Sequence, residues 1–345
     1  MEDPIGFEKM SGISSDERHL SCSSDNSTNS EGTLFPPARF RIGSVQFLNA
    51  VPLTWNLREI AASMNTEIDF SLDVPARLAE ELVRGELDAA LIPLVEAIRH
   101  PELHHVSDVC ISSDGNVGSI EFASLSPIEE VRRVGLDPAS RTSNALIQIC
   151  FSEYFKNTEC EFVPFSVGAA MGLTGDETEK IDFSQPGMTE KLAEVCRENQ
   201  LDGVLLIGDK ALSLPHQIKY FSCVYDLGQV WTQWTGLPFV YASWFTASNT
   251  AEDWNRLSLI FNESRRASQV GMDILTINES LRRKMEIRRC HDYLTRQVRY
   301  RLGGRERRGA EVFCKMTQKY GLVPLGASIE FEANRKRRNA MDASE

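Results

Sequence analysis

One internal repeat constrains the fold of this chain more than any other feature. Leu78–Ala97 aligns without a gap to Leu192–Ala211, and seven of the twenty positions are identical: Leu78/Leu192, Ala79/Ala193, Glu80/Glu194, Leu87/Leu201, Asp88/Asp202, Leu91/Leu205 and Ala97/Ala211. In the first copy Pro75 opens a helix with Leu78, Leu82 and Val83 on one face, Gly85 ends it, and Leu87–Ile92 reads as a buried strand stopped by Pro93. A second, earlier pair keeps the same order. Arg41-Ile42-Gly43 resembles Arg133-Val134-Gly135, and each precedes a loop and a helix start, at Asn49-Ala50-Val51-Pro52 and at Arg141-Thr142-Ser143. Two matches in one order predict two similar α/β lobes. The offset grows from 92 to 114 residues, which places about 22 extra residues in the second copy, in the polar stretch Gly172–Gly187.

The segments around the repeats complete this organisation. Val106–Ser124 and Tyr220–Thr246 have strand character broken by Gly and read as two crossings between lobes. Ala251–Tyr320 reads as helical with a break at Gly303-Gly304, and these helices are expected to return over lobe one. The expected boundaries are a leader at 1–37, lobe one at 38–119 plus 238–325, lobe two at 120–237 and a polar tail at 326–345. A length of 345 residues fits about two domains.

Composition removes several function classes. The formal charge of -12 disfavours nucleic acid as a partner, because the phosphate backbone is itself anionic. No run of about 18 apolar residues occurs, so no membrane span is expected. The first 37 residues are rich in Ser, Asn, Asp and Glu and lack an apolar core, so they read as a disordered leader rather than a secretory signal, which points to the cytoplasm. The eight cysteines are scattered without Cys-x-x-Cys spacing, and neither metal nor cofactor is expected. His104, His105 and His291 are expected to face solvent, the tryptophans at 231, 234 and 244 to be core, and the basic run from Arg282 to Arg308 to be the wet face of helices. There is no Gly-x-Gly-x-x-Gly, no Walker loop and no Gly-x-Ser-x-Gly.

In open α/β lobes, loops at the carboxyl ends of strands meet helix N-termini, whose free N–H groups attract anions. Two facing lobes then form a cleft suited to a small carboxylate. The candidate loops are Ser44–Pro52, with Gln46 and Asn49, and Asp137–Asn144. Ser140-Arg141-Thr142-Ser143 brings hydroxyls and a guanidinium to a helix start, as a carboxylate cradle or an ordinary N-cap. Ser112-Ser113-Asp114-Gly115 at the first crossing reads as a cleft floor or as a β-turn. Asp209 faces the cleft or caps a turn.

Six stretches taken in order are similar to the chorismate dehydratase family of the futalosine route to menaquinone. They are Gly43–Asn49, Gly85–Pro93, Cys110–Gly115, Ser140–Ser143, Leu206–Asp209 and Trp234–Phe239, and the resemblance spans about Phe40 to Leu322. The chain departs from the family at Asn116, where Pro is expected. The resemblance implies a type II periplasmic-binding-protein fold, no cofactor, and dehydration of chorismate to 3-[(1-carboxyvinyl)oxy]benzoate, with a substrate carboxylate serving as base. It implies Asn49 and Ser113 as the catalytic polar pair. Gln46, Ser112, Asp114, Gly115, Arg141, Thr142, Ser143 and Asp209 are then expected to bind substrate. The alternatives are a non-catalytic solute-binding protein for a small carboxylate, a ligand-sensing domain, and the sister 1,4-dihydroxy-6-naphthoate synthase. The sister carries a Ser-Pro-Cys-Pro-Asn-Asp type of loop where this chain has Ser44–Asn49.

Overall fold

Among the described residues, apolar runs form eleven strands in two sheets. A computed structural model describes residues 35–174, 177–178, 181–215 and 219–331. In chain order the strands are β1 (Ala38–Ser44), β2 (Thr66–Leu72), β3 (Ala89–Pro93), β4 (His104–Ser113), β5 (Ile120–Ser124), β6 (Arg133–Leu136), β7 (Glu161–Pro164), β8 (Gly203–Ile207), β9 (Cys223–Asp226), β10 (Phe239–Thr246) and β11 (Arg299–Arg301). One sheet runs β11-β4-β10-β3-β1-β2 and the other β7-β6-β8-β5-β9. Apart from β11, the two orders are the same pattern. The chain leaves the first sheet at β4 and enters the second as β5, then leaves after β9 and returns as β10. Leaving β11 aside, each sheet's antiparallel strand, β10 or β5, is therefore the one delivered by a crossing. This is the two-lobed α/β fold with two crossover strands that the repeat predicts.

The repeat survives at the level of register. Ile42 and Gly43 of β1 face Ala89 and Ala90 of β3, and Val134 and Gly135 of β6 face Gly203 and Val204 of β8. Asp88 accepts from the Arg41 N–H (2.7 Å) and donates its own N–H to the Arg41 carbonyl (2.8 Å). Asp202 does the same with Arg133, at 2.9 and 2.8 Å. The glycines are fixed by close approach. A Cβ at Gly43 would lie 2.6 Å from both Leu78 and Leu87, and one at Gly135 would lie 2.9 Å from Leu201, the counterpart of Leu87. The 92-residue offset still holds at β7, where Val163 pairs with Gly135 as Ser71 pairs with Gly43. The extra residues thus lie between β7 and the helix Met188–Glu198. Of the stretch expected to hold them, 175–176 and 179–180 lie outside the described residues.

Packing joins the lobes as well as filling them. Trp244 stacks on Phe261 with ring centroids 4.0 Å apart, and Trp231 meets Phe239 and Phe313 edge-on, so both tryptophans are core. One apolar cluster runs from Ile42 and Leu91 through Ile120 and Ile207 to Phe151, and a smaller one fills the far side of lobe two around Leu192 and Val204.

Several expectations need correcting. The C-terminal stretch is interrupted by β11, whose Arg-Tyr-Arg alternation buries only Tyr300. Helices also stop at Val270 and Arg283, ahead of the expected break. His105 is buried and bonded to the Ser243 hydroxyl (3.0 Å) rather than facing solvent. Residues 1–34 of the expected leader and 332–345 of the expected tail lie outside the described residues. Phe35 and Pro36 are tied to the body by Arg256, which donates to the Pro36 carbonyl (2.8 Å) and lies over the Phe35 ring. Phe331 is buried against His105. Among the described residues no helix is long and apolar enough to cross a membrane, and no group of three or more His, Cys, Asp or Glu could hold a metal.

Candidate functional site

Strand ends and helix starts from both lobes converge on one cavity. Lobe one contributes Val45, Phe47 and Asn49 from the loop after β1, Leu91 and Pro93 at the end of β3, and Ile111 and Tyr241 from β4 and β10. Lobe two contributes Ser119 and Ile120 at the start of β5, Ser140, Thr142 and Ser143 at a helix start, and Ile207 and Gly208 after β8. The lining is apolar with a few convergent hydroxyls and one amide. Apart from the Tyr241 phenol it holds no side chain that titrates.

Asn49 is the sharpest feature of the cavity. Its carbonyl oxygen is buried with no hydrogen-bond partner among the described residues. The Asn49 and Ser119 side chains both lie beside the Tyr293 hydroxyl, where they act to lower its pKa. Tyr293 comes from the C-terminal wide turn Tyr293–Gln297, so a phenol from outside the lining stands beside both Asn49 of lobe one and Ser119 of lobe two. Burial raises the Tyr293 pKa to about 12, against the lowering effect of these two neighbours. Burial likewise holds the Tyr241 phenol well above its usual range, so both hydroxyls stay protonated at neutral pH.

Of the ten residues expected in the site, Asn49, Thr142 and Ser143 line the cavity. Ser143 Oγ accepts from Ser140 (2.8 Å), and Thr142 Oγ1 accepts from the Val95 N–H across the cleft (3.2 Å). Arg141 does not join them. Its guanidinium is taken by Glu96 (3.0 Å) and Glu80 (3.5 Å) of lobe one, so it closes the cleft from outside instead of cradling a ligand. Asp209 is also a closing residue: it accepts from the Leu48 N–H (3.3 Å) and pairs with Arg283. Burial lowers the Arg283 pKa to about 10, and its other arm donates to the Gln46 carbonyl (2.9 Å). Arg283 is therefore not on the wet face expected for the basic run. Gln46 is exposed, and its backbone alone takes part.

The Ser-Ser-Asp-Gly stretch does not form the cleft floor. Along β4 side chains alternate, so Ser112 turns to β11 and donates to the Arg299 carbonyl (3.2 Å). Ser113 is buried one bond behind the lining, 2.9 Å from Tyr241 Oη. Asp114 is held by Arg299 (3.0 Å) and Arg305 (2.6 Å), and the Gly115 N–H donates to Thr232 (2.9 Å). Ser119, Tyr241 and Tyr293 were not anticipated, and Ser140 was expected only as part of the Ser140–Ser143 cradle. A signal for Ser119 lies in the repeat: Ile120 faces Ile207 as Ala242 faces Pro93, so Ser119 and Tyr241 are matched entry residues of the two crossings.

The cavity has a tight rim. Gly208 has φ +64°, and a Cβ there would lie 2.9 Å from the Phe47 ring of lobe one. Behind the cavity, Glu121 and Asp226 share a buried polar corner. Burial first, and then the Asp226 charge, push the Glu121 carboxyl up to about 9. Asp226 accepts the N–H groups of Val117 (2.8 Å) and Gly118 (2.6 Å), and so fixes the first crossing.

Comparison with known proteins places this geometry. A Thermus thermophilus protein named chorismate dehydratase is 28% identical over 186 residues, covering 50% of this chain and 58% of its own length. A Campylobacter jejuni protein of the same name is 25% identical over 202 residues, covering 58% and 64%. The matched part of this chain thus spans under two thirds of each relative. Among solved structures, a protein from Archaeoglobus fulgidus superposes with a TM-score of 0.60 at 14% identity, covering 83% of this chain and 98% of its own. The periplasmic aliphatic sulphonate binding protein of Escherichia coli superposes with a TM-score of 0.56 at 14% identity, covering 85% and 96%. These likenesses establish the periplasmic-binding-protein fold alone. The profile of the menaquinone biosynthesis family matches residues 40–180 and 177–319, and the chain is a member of that family.

Proposed function

We propose that this protein is a lyase that dehydrates chorismate to 3-[(1-carboxyvinyl)oxy]benzoate in the cleft between its lobes. The observation that carries the proposal is Asn49, whose buried carbonyl oxygen has no partner among the described residues, in the lining of a cavity without ionisable side chains other than one phenol. In the reaction a C–H bond and a C–OH bond on adjacent ring carbons break. The proton and hydroxide leave as water, and the diene becomes aromatic with no change of redox state. Aromatisation supplies the drive, so the protein's task is to orient and polarise. Asn49 Oδ1 accepts from the ring hydroxyl and fixes the leaving group, and Ser119 replaces Ser113 as its polar partner. A substrate carboxylate serves as the base, in keeping with a lining that offers no carboxylate, imidazole or amine. The N-terminal turn of the 13-residue helix Arg141–Glu153, with the Ser140, Thr142 and Ser143 hydroxyls, holds the other carboxylate.

The test is incubation of the purified chain with chorismate alone, followed by chromatography and mass measurement. Loss of one water with appearance of the aromatic product supports the proposal. Tight binding of chorismate without turnover transfers the cleft to a solute-binding role.

A further inference from the structure

The helix Met272–Arg283 is packed on one face only. Leu275, Thr276 and Ser280 are buried, and Glu279 and Arg283 on that side pair with each other. The opposite face is apolar and open: Ile274 is 60% exposed, Ile277 46% and Leu281 71%. At 3.6 residues per turn these three fall within about 60° of one another. Val270, 92% exposed, ends the helix before, and Ile287, 51% exposed, begins the helix after. Ile277 and Ile287 line one hollow between the two helices. Apolar surface of this extent marks an interaction site rather than scattered exposure.

We propose that this face binds a second copy of the chain, through two-fold, antiparallel pairing of Met272–Arg283. The spacing is self-complementary. Ile274 and Leu281 are seven residues apart, so about a two-fold axis beside Ile277 each meets the other in the second copy. The charges are complementary in the same register. Asp273 and Lys284 lie on one flank of the apolar stripe at opposite ends of the helix, and neither has an ion-pair partner among the described residues. Antiparallel pairing sets each against the other. An anionic membrane is the poorer partner. Arg282 is occupied by Glu279 (2.7 Å), Arg283 by Glu279 and Asp209, and Arg288 lies beside Asp292 (4.0 Å), while Asp273 and Glu286 put negative charge in the patch itself.

The experiment is the mass of the full chain by light scattering at about 100 µM, since association follows mass action. The unaltered chain is expected at the mass of two copies. Ile277→Asp with Leu281→Asp should raise the dissociation constant at least about 100-fold, because Ile277 lies beside the axis and Leu281 meets Ile274 of the second copy, with the far-ultraviolet circular dichroism unchanged. Lys284→Asp alone should weaken the dimer, and adding Asp273→Lys should restore it, which a merely destabilised fold would not do. A one-copy mass for the unaltered chain overturns the proposal. So does a dimer that survives both aspartates, or a monomer that sediments with phosphatidylserine vesicles.

Discussion

The two lobes share a frame and differ in what they hang on it. At the first loop of the repeat, Asn49 in lobe one and Arg141 in lobe two occupy matched positions 92 residues apart. Asn49 lines the cavity beside Tyr293, with a carbonyl oxygen that has no partner among the described residues. Arg141 turns outward to Glu96 and Glu80. The same divergence follows the next matched strands. Glu96 after β3 receives Arg141, whereas its counterpart Lys210 after β8 forms a buried pair with Asp137 (2.7 Å). Duplication thus yields matched positions with divergent uses: Asn49 serves the cavity, Arg141 and Glu96 close the cleft, and Lys210 stays within lobe two.

Substitution at the matched loop positions should separate these roles most strongly. Asn49→Ala is expected to lower kcat by about 100- to 1,000-fold with the fold intact, the usual cost of removing one oriented polar group. Arg141→Met should leave kcat within about threefold and raise KM by about tenfold, because its half-exposed ion pairs stabilise closure only modestly. Steady-state kinetics on chorismate decide the matter. Equal losses of kcat in the two variants would erase the distinction between the loops.

The second closing contact is better buried, and its loss should be felt next. Arg283 is 12% and Asp209 21% exposed at the side chain, against 36% for Arg141. Arg283→Met leaves Asp209 without its cation and is expected to raise KM by about 10- to 50-fold, more than Arg141→Met does. A smaller effect than that of Arg141→Met would show that the C-terminal helices do not hold the cleft shut.

How much of this was legible in the sequence follows from the range of the contacts concerned. The frame was legible because it is written locally: helix period, strand runs, and the glycines at 43 and 135 that let Leu87 and Leu201 approach. The cleft position of Thr142 and Ser143 was legible for the same reason, since strand-to-helix loops face the cleft in both lobes. The fate of Arg141 was not, because Glu80 and Glu96 lie in the other lobe, 61 and 45 residues away. Ser112 and Ser113 looked equivalent until β4 alternation assigned one to β11 and the other to Tyr241. Tyr293 carried no local signal, for it reaches the site from a C-terminal turn that only tertiary packing brings there.

Lobe two also holds a charge conflict that lobe one lacks. With a folded-state value of about 9, Glu121 keeps its proton where the unfolded chain, near the ordinary carboxylate value of about 4.3, has lost it. The unfolded state then binds fewer protons, so stability falls as pH rises from about 4 toward about 9, at up to about 1.4 kcal/mol per pH unit. Glu121→Gln is expected to flatten this slope and to raise the thermal midpoint at pH 8, as followed by calorimetry across that range. An unchanged slope would place the shared proton elsewhere than on Glu121.

The smallest expected difference concerns the strand-start aspartates, where the frame itself is nearly symmetric. Asp202 accepts from two backbone donors, Arg132 N–H (2.7 Å) and Arg133 N–H (2.9 Å). Asp88 accepts from one, Arg41 N–H (2.7 Å), and from the Arg41 guanidinium (2.8 Å). Asp202→Ala removes the acceptor of two backbone N–H groups. Asp88→Ala strands one and releases a guanidinium that is already 46% exposed. The losses are therefore expected at about 2 and about 1 kcal/mol in denaturant unfolding, both without effect on kcat. A larger cost at Asp88 would mean that the exposed Arg41 pair, and not the backbone latch common to both lobes, fixes the start of the strand.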